Sequence, residues 1–309
     1  MKLHLSAALL SAIFLLPFSS MAQSRVDETF SGIKEIEVKG GSADVEIIGR
    51  NTGKVQLTGE LAVDDEDDRD EYKIRHERHG DRLEIWIEKP SKMWSWSWSS
   101  SKGKSFIRLE VPSRTRIEVD NSSGNVEVKN IDEDLEVEVS SGNIDIQDVK
   151  AELKVEASSG NIYLSDIDGD IESETSSGRQ TLNNIRGNIE AEASSGSIRV
   201  TNAKGNAELQ TSSGQIRLTE VEGRLAAKSS SGGIVGSEVE LREDSEFKSS
   251  SGSIRIDLVN DPDDIDFDLH ASSGSLKAGS SQGKGDLVIN NRAKIKIYGK
   301  STSGSQRYY

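Results

Sequence analysis

Ser140-Ser141-Gly142-Asn143-Ile144-Asp145-Ile146 is followed, 18 residues on, by Ser158-Ser159-Gly160-Asn161-Ile162-Tyr163-Leu164. The same Ser-Ser-Gly corner ends at Gly124, Gly142, Gly160, Gly178, Gly196, Gly214 and Gly232, always 18 residues apart. It returns at Gly252 and Gly274 after longer intervals, and Thr302-Ser303-Gly304 is a degenerate last copy. A fixed period of this length marks a stacked repeat architecture. Between corners the apolar residues alternate: Ile144 and Ile146, then Val149, then Leu153, Val155 and Ala157. The next coil gives Ile162, Leu164, Ile167 and Ile171. This is strand periodicity, with two short strands per coil.

One coil has too few apolar side chains to bury them alone. Stacking buries each against the same position of its neighbours, with backbone hydrogen bonds linking coils about 4.8 Å apart. The expected fold is therefore all-β: a single-stranded β-helix, or β-solenoid, of 18-residue coils. The corner glycines are expected to take a positive φ. The serines are expected to stack, their hydroxyls bonding one another or nearby backbone. Asn125, Asn143 and Asn161 should continue this as an amide ladder. A catalytic serine appears once, beside a base, so the repeated corner reads as structure. Gln180 stands where an apolar residue is expected and should weaken packing locally.

Outward from the repeats, residues 1–22 read as a secretory signal. Lys2 supplies the positive start, residues 5–18 the apolar stretch, and Ser20-Met21-Ala22 the small residues before a cut at Gln23. As a membrane anchor the stretch is short and interrupted by Ser6, Ser11 and Pro17. No later segment is apolar enough to cross a bilayer as a helix. Residues 23–120 read as irregular N-terminal β coils and a cap with loop excursions. Within them Gly41-Ser42-Ala43-Asp44-Val45-Glu46-Ile47 looks like a decayed corner with its strand, residues 74–87 like a hairpin around Gly80-Asp81, and residues 106–111 and 116–119 like further strands. Residues 121–309 are the regular solenoid and a C-terminal cap, with 290–309 closing the end.

Only 33% of the chain is hydrophobic and 29% is charged. A solenoid tolerates this because its core is a thin column. The net charge of −15 disfavours nucleic acid as a partner. The absence of cysteine excludes disulfides, zinc-thiolate sites and cysteine catalysis.

The stretches Ser140 to Ile146 and Ser194-Ser195-Gly196-Ser197-Ile198-Arg199-Val200 resemble the repeated coils of the bacterial "putative adhesin" domain-of-unknown-function family. The resemblance covers essentially the whole mature chain. It implies an exported, right-handed, single-stranded β-helix with an irregular N-terminal strand region, and it brings no catalytic residues with it.

Candidate chemistry is sparse. His76, His79 and His270 are the only histidines after residue 22. No phosphate loop, nucleophile elbow or zinc spacing is present, and no cofactor or metal site is expected. Acidic runs at 64–68 and 261–268 read as solvated loops, since the EF-hand pattern is missing. Trp94, Trp96 and Trp98 alternate with serines, so an extended segment places them on one face. They form either a flap capping the first coils or an exposed strip for glycan, lipid headgroup or protein. Glu138, Glu156, Glu174 and Glu192 stand 14 residues beyond successive corner glycines, and Glu136, Glu172, Glu190 and Glu208 stand 12 beyond, with Lys154 interrupting. Both rows should face solvent. They are either a plain solvated face or a stripe for divalent cations or a basic partner. Arg199, Arg217, Arg255 and Lys277 hold an outward position on the other strand, so lateral self-association of acidic face to basic face is a further expectation.

Together these features favour a non-catalytic, adhesin-like binding or scaffold protein, in the periplasm or on the surface of a Gram-negative bacterium, whose partner is an envelope protein or glycan. The alternatives are a polysaccharide-active enzyme on a β-helix and a periplasmic accessory or sensor protein of an envelope stress pathway.

Overall fold

The computed structural model describes residues 24–62, 72–88 and 104–309. Residues 1–22, the acidic run 64–68 and Trp94, Trp96 and Trp98 lie outside the described residues. Among those described, the chain forms 27 strands joined in one hydrogen-bonded system, with one short 3-10 turn at Pro262–Asp264. This is the all-β solenoid expected from the period.

The repeat unit is seen at Leu135–Val139, a corner, and Ile144–Val149. The next coil stacks on it in parallel and in register. Leu135 lies on Leu153 and Val137 on Val155, while Ile144 lies on Ile162, Ile146 on Leu164 and Val149 on Ile167. All ten side chains are buried. Fully burying one such side chain is worth roughly 1.5–3 kcal/mol, and a one-residue slip would turn a whole strand inside out.

The three-residue step from Ile146 to Val149 has a backbone cause. Asn130, Asp148, Asp166, Asn184, Asn202, Glu220 and Glu238 all adopt a left-handed conformation, with φ between 52° and 60°. Each resets the alternation, leaving two consecutive outward residues before the next buried one. Asn and Asp tolerate this conformation best. Their side chains also link coils, Asn184 Nδ2 donating to Asp166 Oδ1 at 2.9 Å and Asn202 Nδ2 to Asn184 Oδ1 at 2.8 Å.

The corner glycines from Gly124 to Gly252 do not take the positive φ expected of them; Gly274, in the last coil, does, at 139°. They are needed for close approach instead. A Cβ on Gly160 would overlap the backbone carbonyl of Gly142, and the same clash recurs at each regular corner. The corner serines are tied through the backbone: Ser141 N–H donates to Ser122 O at 2.8 Å and Ser195 N–H to Ser176 O at 2.9 Å. Hydroxyls three residues before the glycine take part in some coils, Thr211 Oγ1 accepting from Gly214 N at 3.0 Å and donating to Gly196 O at 2.9 Å. The amide ladder is present. Asn143 N and Nδ2 reach Asn125 Oδ1 at 3.0 and 3.3 Å, and Asn161 repeats this on Asn143 at 3.1 and 3.2 Å. A matching ladder of Asp170, Asn188 and Asn206 runs along the other turn. Gln180 is wholly buried and donates from Nε2 to Glu192 O at 2.5 Å.

At both ends the order in space departs from the order in sequence. Glu35–Gly41 lies between Arg82–Glu88 and Arg116–Asn121, and Asp44–Arg50 lies between Phe106–Pro112 and Val126–Ile131. The decayed corner is a true one, since Gly124 stacks on Ala43. The outermost N-terminal coil is thus made by Arg82–Glu88 and Phe106–Pro112. Its edges are covered by antiparallel Lys73–His79 and Lys54–Leu61, the latter backed by Ser24–Ser31.

The C-terminal tail does not close its end. Ile295–Ser301 inserts between Ser245–Ser249 and Ile265–Ala278, and Gln306–Tyr308 does the same on the second strand. Gly304 therefore stacks on Gly252, and Gly274 on Gly304. Tyr308 fixes the inserted coil, its buried ring lying 6.0 Å from Phe247 and 5.8 Å from Phe267. The end itself is covered by antiparallel Ser281–Ile289, which has no fully buried residue. Such covers keep open strand edges from recruiting further chains.

Two stability outcomes follow from this geometry. Gly160→Ala, and Gly160→Val more so, should destabilise by about 1–3 kcal/mol through overpacking against Gly142, while Ser159→Ala stays near the parent Tm. Glu220→Asn should raise the Tm, gaining about 0.5–1 kcal/mol at a left-handed position. Thermal melts followed by circular dichroism measure both.

Candidate functional site

The outward positions of the strands that carry Leu135, Leu153, Ile171 and Ile189 form two columns. In the first, Asp120 pairs with Glu138, Glu138 with Glu156, Glu156 with Glu174, Glu174 with Glu192 and Glu192 with Gln210. In the second, Glu136, Lys154, Glu172, Glu190 and Glu208 follow one another. Between the first column and the corner serines Ser140, Ser158, Ser176 and Ser194 runs an open groove of about 250 Å³. A second groove of about 280 Å³ lies between Glu172, Glu190 and Glu208 and the Asp170–Asn188–Asn206 ladder.

Parallel stacking repeats like charge on like charge. Two carboxylates about 5 Å apart repel by roughly 0.8 kcal/mol even at the dielectric of water. Lys154 relieves one end, pairing with Glu136 at 3.1 Å and Glu156 at 3.0 Å, and its ammonium is held well above the usual lysine range by these contacts. Further along the relief stops. Partial burial, then the charges of Glu156 and Glu192, push the Glu174 carboxyl above its ordinary value. Glu138 is pushed the same way by burial and by Glu156.

The row does not form a calcium cage. Calcium takes six to eight oxygens converging at about 2.3–2.6 Å, whereas each coil offers this column one carboxylate. Among the described residues no three His, Asp or Glu side chains are grouped to hold a metal ion. The second acidic run instead holds backbone: Asp261 accepts from Asp263 N at 3.0 Å, and Asp266 from Asn291 N at 2.7 Å. Asp268 lies 3.5 Å from Lys296. The histidines are dispersed. His76 packs edge-on against Phe30, His79 lies near Glu77, and His270 Nδ1 meets Asp286 at 2.5 Å. Among the described residues no hydroxyl hydrogen-bonds to a histidine.

On the opposite strand Arg199, Arg217, Arg255 and Lys277 do fall in one column, with Val235 and Arg307 interposed. Toward the N-terminal end the same column holds Arg108, Glu46, Glu127 and Asp145. What the sequence reading missed is the continuation of the first acidic column. Gln210 pairs with Lys228, Lys228 with Lys248, Lys248 with Lys300, and Lys300 with His270. Counting forward from each glycine loses this row, because the intervals lengthen after Gly232. Counting back finds it: every member stands four residues before a corner glycine.

The fold and its repeated corners define a β-solenoid of stacked coils, and the family comparison agrees. The chain matches the Toastrack DUF4097 model over residues 33–208 and 150–308 and belongs to that family. No curated protein matches it. Among similar solved structures, a "putative adhesin" from Bacteroides fragilis shares 15% identity at a TM-score of 0.41, covering 92% of this chain and 97% of that one. A "putative adhesin" from Parabacteroides merdae shares 12% at 0.30, covering 94% and 97%. No helix among the described residues is long and apolar enough to cross a membrane.

The raised carboxyls set a pH dependence. Between their unfolded-state and folded-state values Glu138 and Glu174 bind more protons in the folded protein, so stability falls as pH rises through that window. The Tm should therefore be higher just above the ordinary carboxylate range, near pH 5, than at pH 7. Glu174→Gln should raise the pH 7 value and flatten the difference, which differential scanning calorimetry will show.

Proposed function

We propose that this chain is an exported, non-catalytic envelope protein, an adhesin-like module whose solenoid offers an acidic groove to a basic partner. The observation that carries this reading is the row Glu138, Glu156, Glu174 and Glu192 beside the groove. Three of the four, Glu138, Glu174 and Glu192, make no ion pair among the described residues. A lysine- or arginine-rich protein segment laid along it would relieve the repulsion coil by coil, each contact being charge-assisted. An extended partner suits a linear row better than a compact ligand does.

A polysaccharide-active enzyme is the poorer reading. Acid–base hydrolysis uses two carboxylates flanking one bond with their ionisation set apart. Here the carboxylates are evenly repeated and distributed along the axis. The groove floor is polar and shallow, which suits docking of a chain rather than exclusion of water from one bond.

Titration calorimetry with an oligolysine peptide at low salt tests the reading. The parent should bind, and Glu156→Gln/Glu174→Gln/Glu192→Gln should bind at least about tenfold more weakly, with no loss of Tm. Equal binding by the triple variant would discard the groove as the site. Fractionation with surface proteolysis of intact cells then separates a surface from a periplasmic location.

A further inference from the structure

The first outward column changes sign along the solenoid. Beyond Lys39 at its N-terminal end it reads, in spatial order, Asp120, Glu138, Glu156, Glu174, Glu192, Gln210, Lys228, Lys248, Lys300, His270. The row is antisymmetric about Gln210. One step away stand Glu192 and Lys228, two steps away Glu174 and Lys248, three steps away Glu156 and Lys300. Lys300 is exposed and makes no ion pair among the described residues.

A row that is acidic on one side of a point and basic on the other is complementary to itself when reversed. We propose that the basic partner of the groove is a second copy of this chain, docked antiparallel along the first column about a two-fold axis at Gln210. The proposal rests on the reading of the groove as a docking site for basic groups and names its occupant. Glu192 then faces the partner's Lys228, Glu174 the partner's Lys248 and Glu156 the partner's Lys300, with each pair repeated by symmetry. Such an isologous contact closes after two copies and leaves no free half to build a filament. The matched row covers seven coils, roughly 29 Å at about 4.8 Å per coil.

The neighbouring column decides how the copies meet. Reversed on itself, it would set Glu172 against Glu246 and Glu136 against Asp268. A flat face-to-face contact is therefore repulsive. Along the other side of the first column run the corner residues Ser158, Ser176, Ser194, Ser212 and Ser230, which carry no charge. The copies consequently approach along the serine edge and the groove, with the second column at the solvent rim. The lysines already lean on their own coil, Lys228 on Glu208 at 3.1 Å and Lys248 on Glu246, so docking exchanges intramolecular pairs for intermolecular ones. Exposed pairs are individually weak, and the dimer is accordingly a weak, salt-sensitive one.

Sedimentation across a salt series is the first measurement, at protein concentrations of about 0.1–1 mM. Between about 0.01 M and 1 M salt the screening length falls from roughly 30 Å to about 3 Å. The parent should be dimeric at the low end and monomeric at the high end. Lys228→Glu/Lys248→Glu makes the row acidic on both sides of Gln210 and leaves Lys300 as its one lysine in the matched stretch, and Glu174→Lys/Glu192→Lys makes it largely basic. Each variant alone should be monomeric, and an equal mixture should form a heterodimer. That rescue separates a lost interface from a lost fold. Gln210→Cys, the single thiol in a chain without cysteine, should cross-link to itself with a short bismaleimide, whereas Lys248→Cys should cross-link only when mixed with Glu174→Cys. A parent monomer at low salt, a double-lysine variant as dimeric as the parent, or a mixture without heterodimer would overturn the inference. If oligolysine still binds that monomer, the groove remains a docking site and only its occupant is wrong.

Discussion

Gly160 can rest on the carbonyl of Gly142 only because it lacks a Cβ, and the remaining structure follows from that contact. It lets each coil settle at backbone hydrogen-bonding distance on the one below. In the regular coils each residue is thereby placed on its counterpart 18 positions earlier. The core is a column of Ile, Leu and Val for this reason, and no single coil owns it. The same spacing lets Asn125, Asn143 and Asn161 pass one hydrogen bond from coil to coil.

In-register stacking does not discriminate between useful and harmful repetition. Apolar residues and amides gain from lying on their own kind. Carboxylates lose: partial burial first, and the neighbouring carboxylates next, push Glu138 and Glu174 above their ordinary values. A chain under this constraint can scatter its charges, as Lys154 does among glutamates, or segregate them by sign. Here the first outward column is segregated about Gln210, acidic from Asp120 to Glu192 and basic from Lys228 to Lys300. Repulsion kept in a row is a source of binding free energy for whatever neutralises it. That connects the stacking geometry to the proposed docking of a basic partner.

The ends show how the stacking is stopped. A parallel coil leaves a strand edge that would accept another coil. At each end a coil distant in sequence lies outermost and is capped by antiparallel strands, Lys73–His79 and Lys54–Leu61 on one side and Ser281–Ile289 on the other. Antiparallel pairing breaks the stacking rule. The covering strands therefore lack the corner glycine pattern that identifies the coils between them.

The sequence by itself determined the coil, the strand alternation, the column of buried residues and the in-register rows of Glu138, Glu156, Glu174 and Glu192. These depend on local periodicity, and a constant interval of 18 transmits it without reference to distant contacts. It misassigned the corner glycine to backbone handedness, because a motif shows which residue is needed but not whether φ or close approach requires it. The left-handed residues went unrecognised, although the step from Ile146 to Val149 recorded them. Only the tertiary structure decided the spatial order of the ends, with Arg82–Glu88 and Phe106–Pro112 outside 35–50 and the tail beneath 265–278. Through that order it also placed Lys300 between Lys248 and His270. The choice rests on long-range strand pairing and on Tyr308 packing between Phe247 and Phe267, contacts between segments whose separation in sequence carries no period.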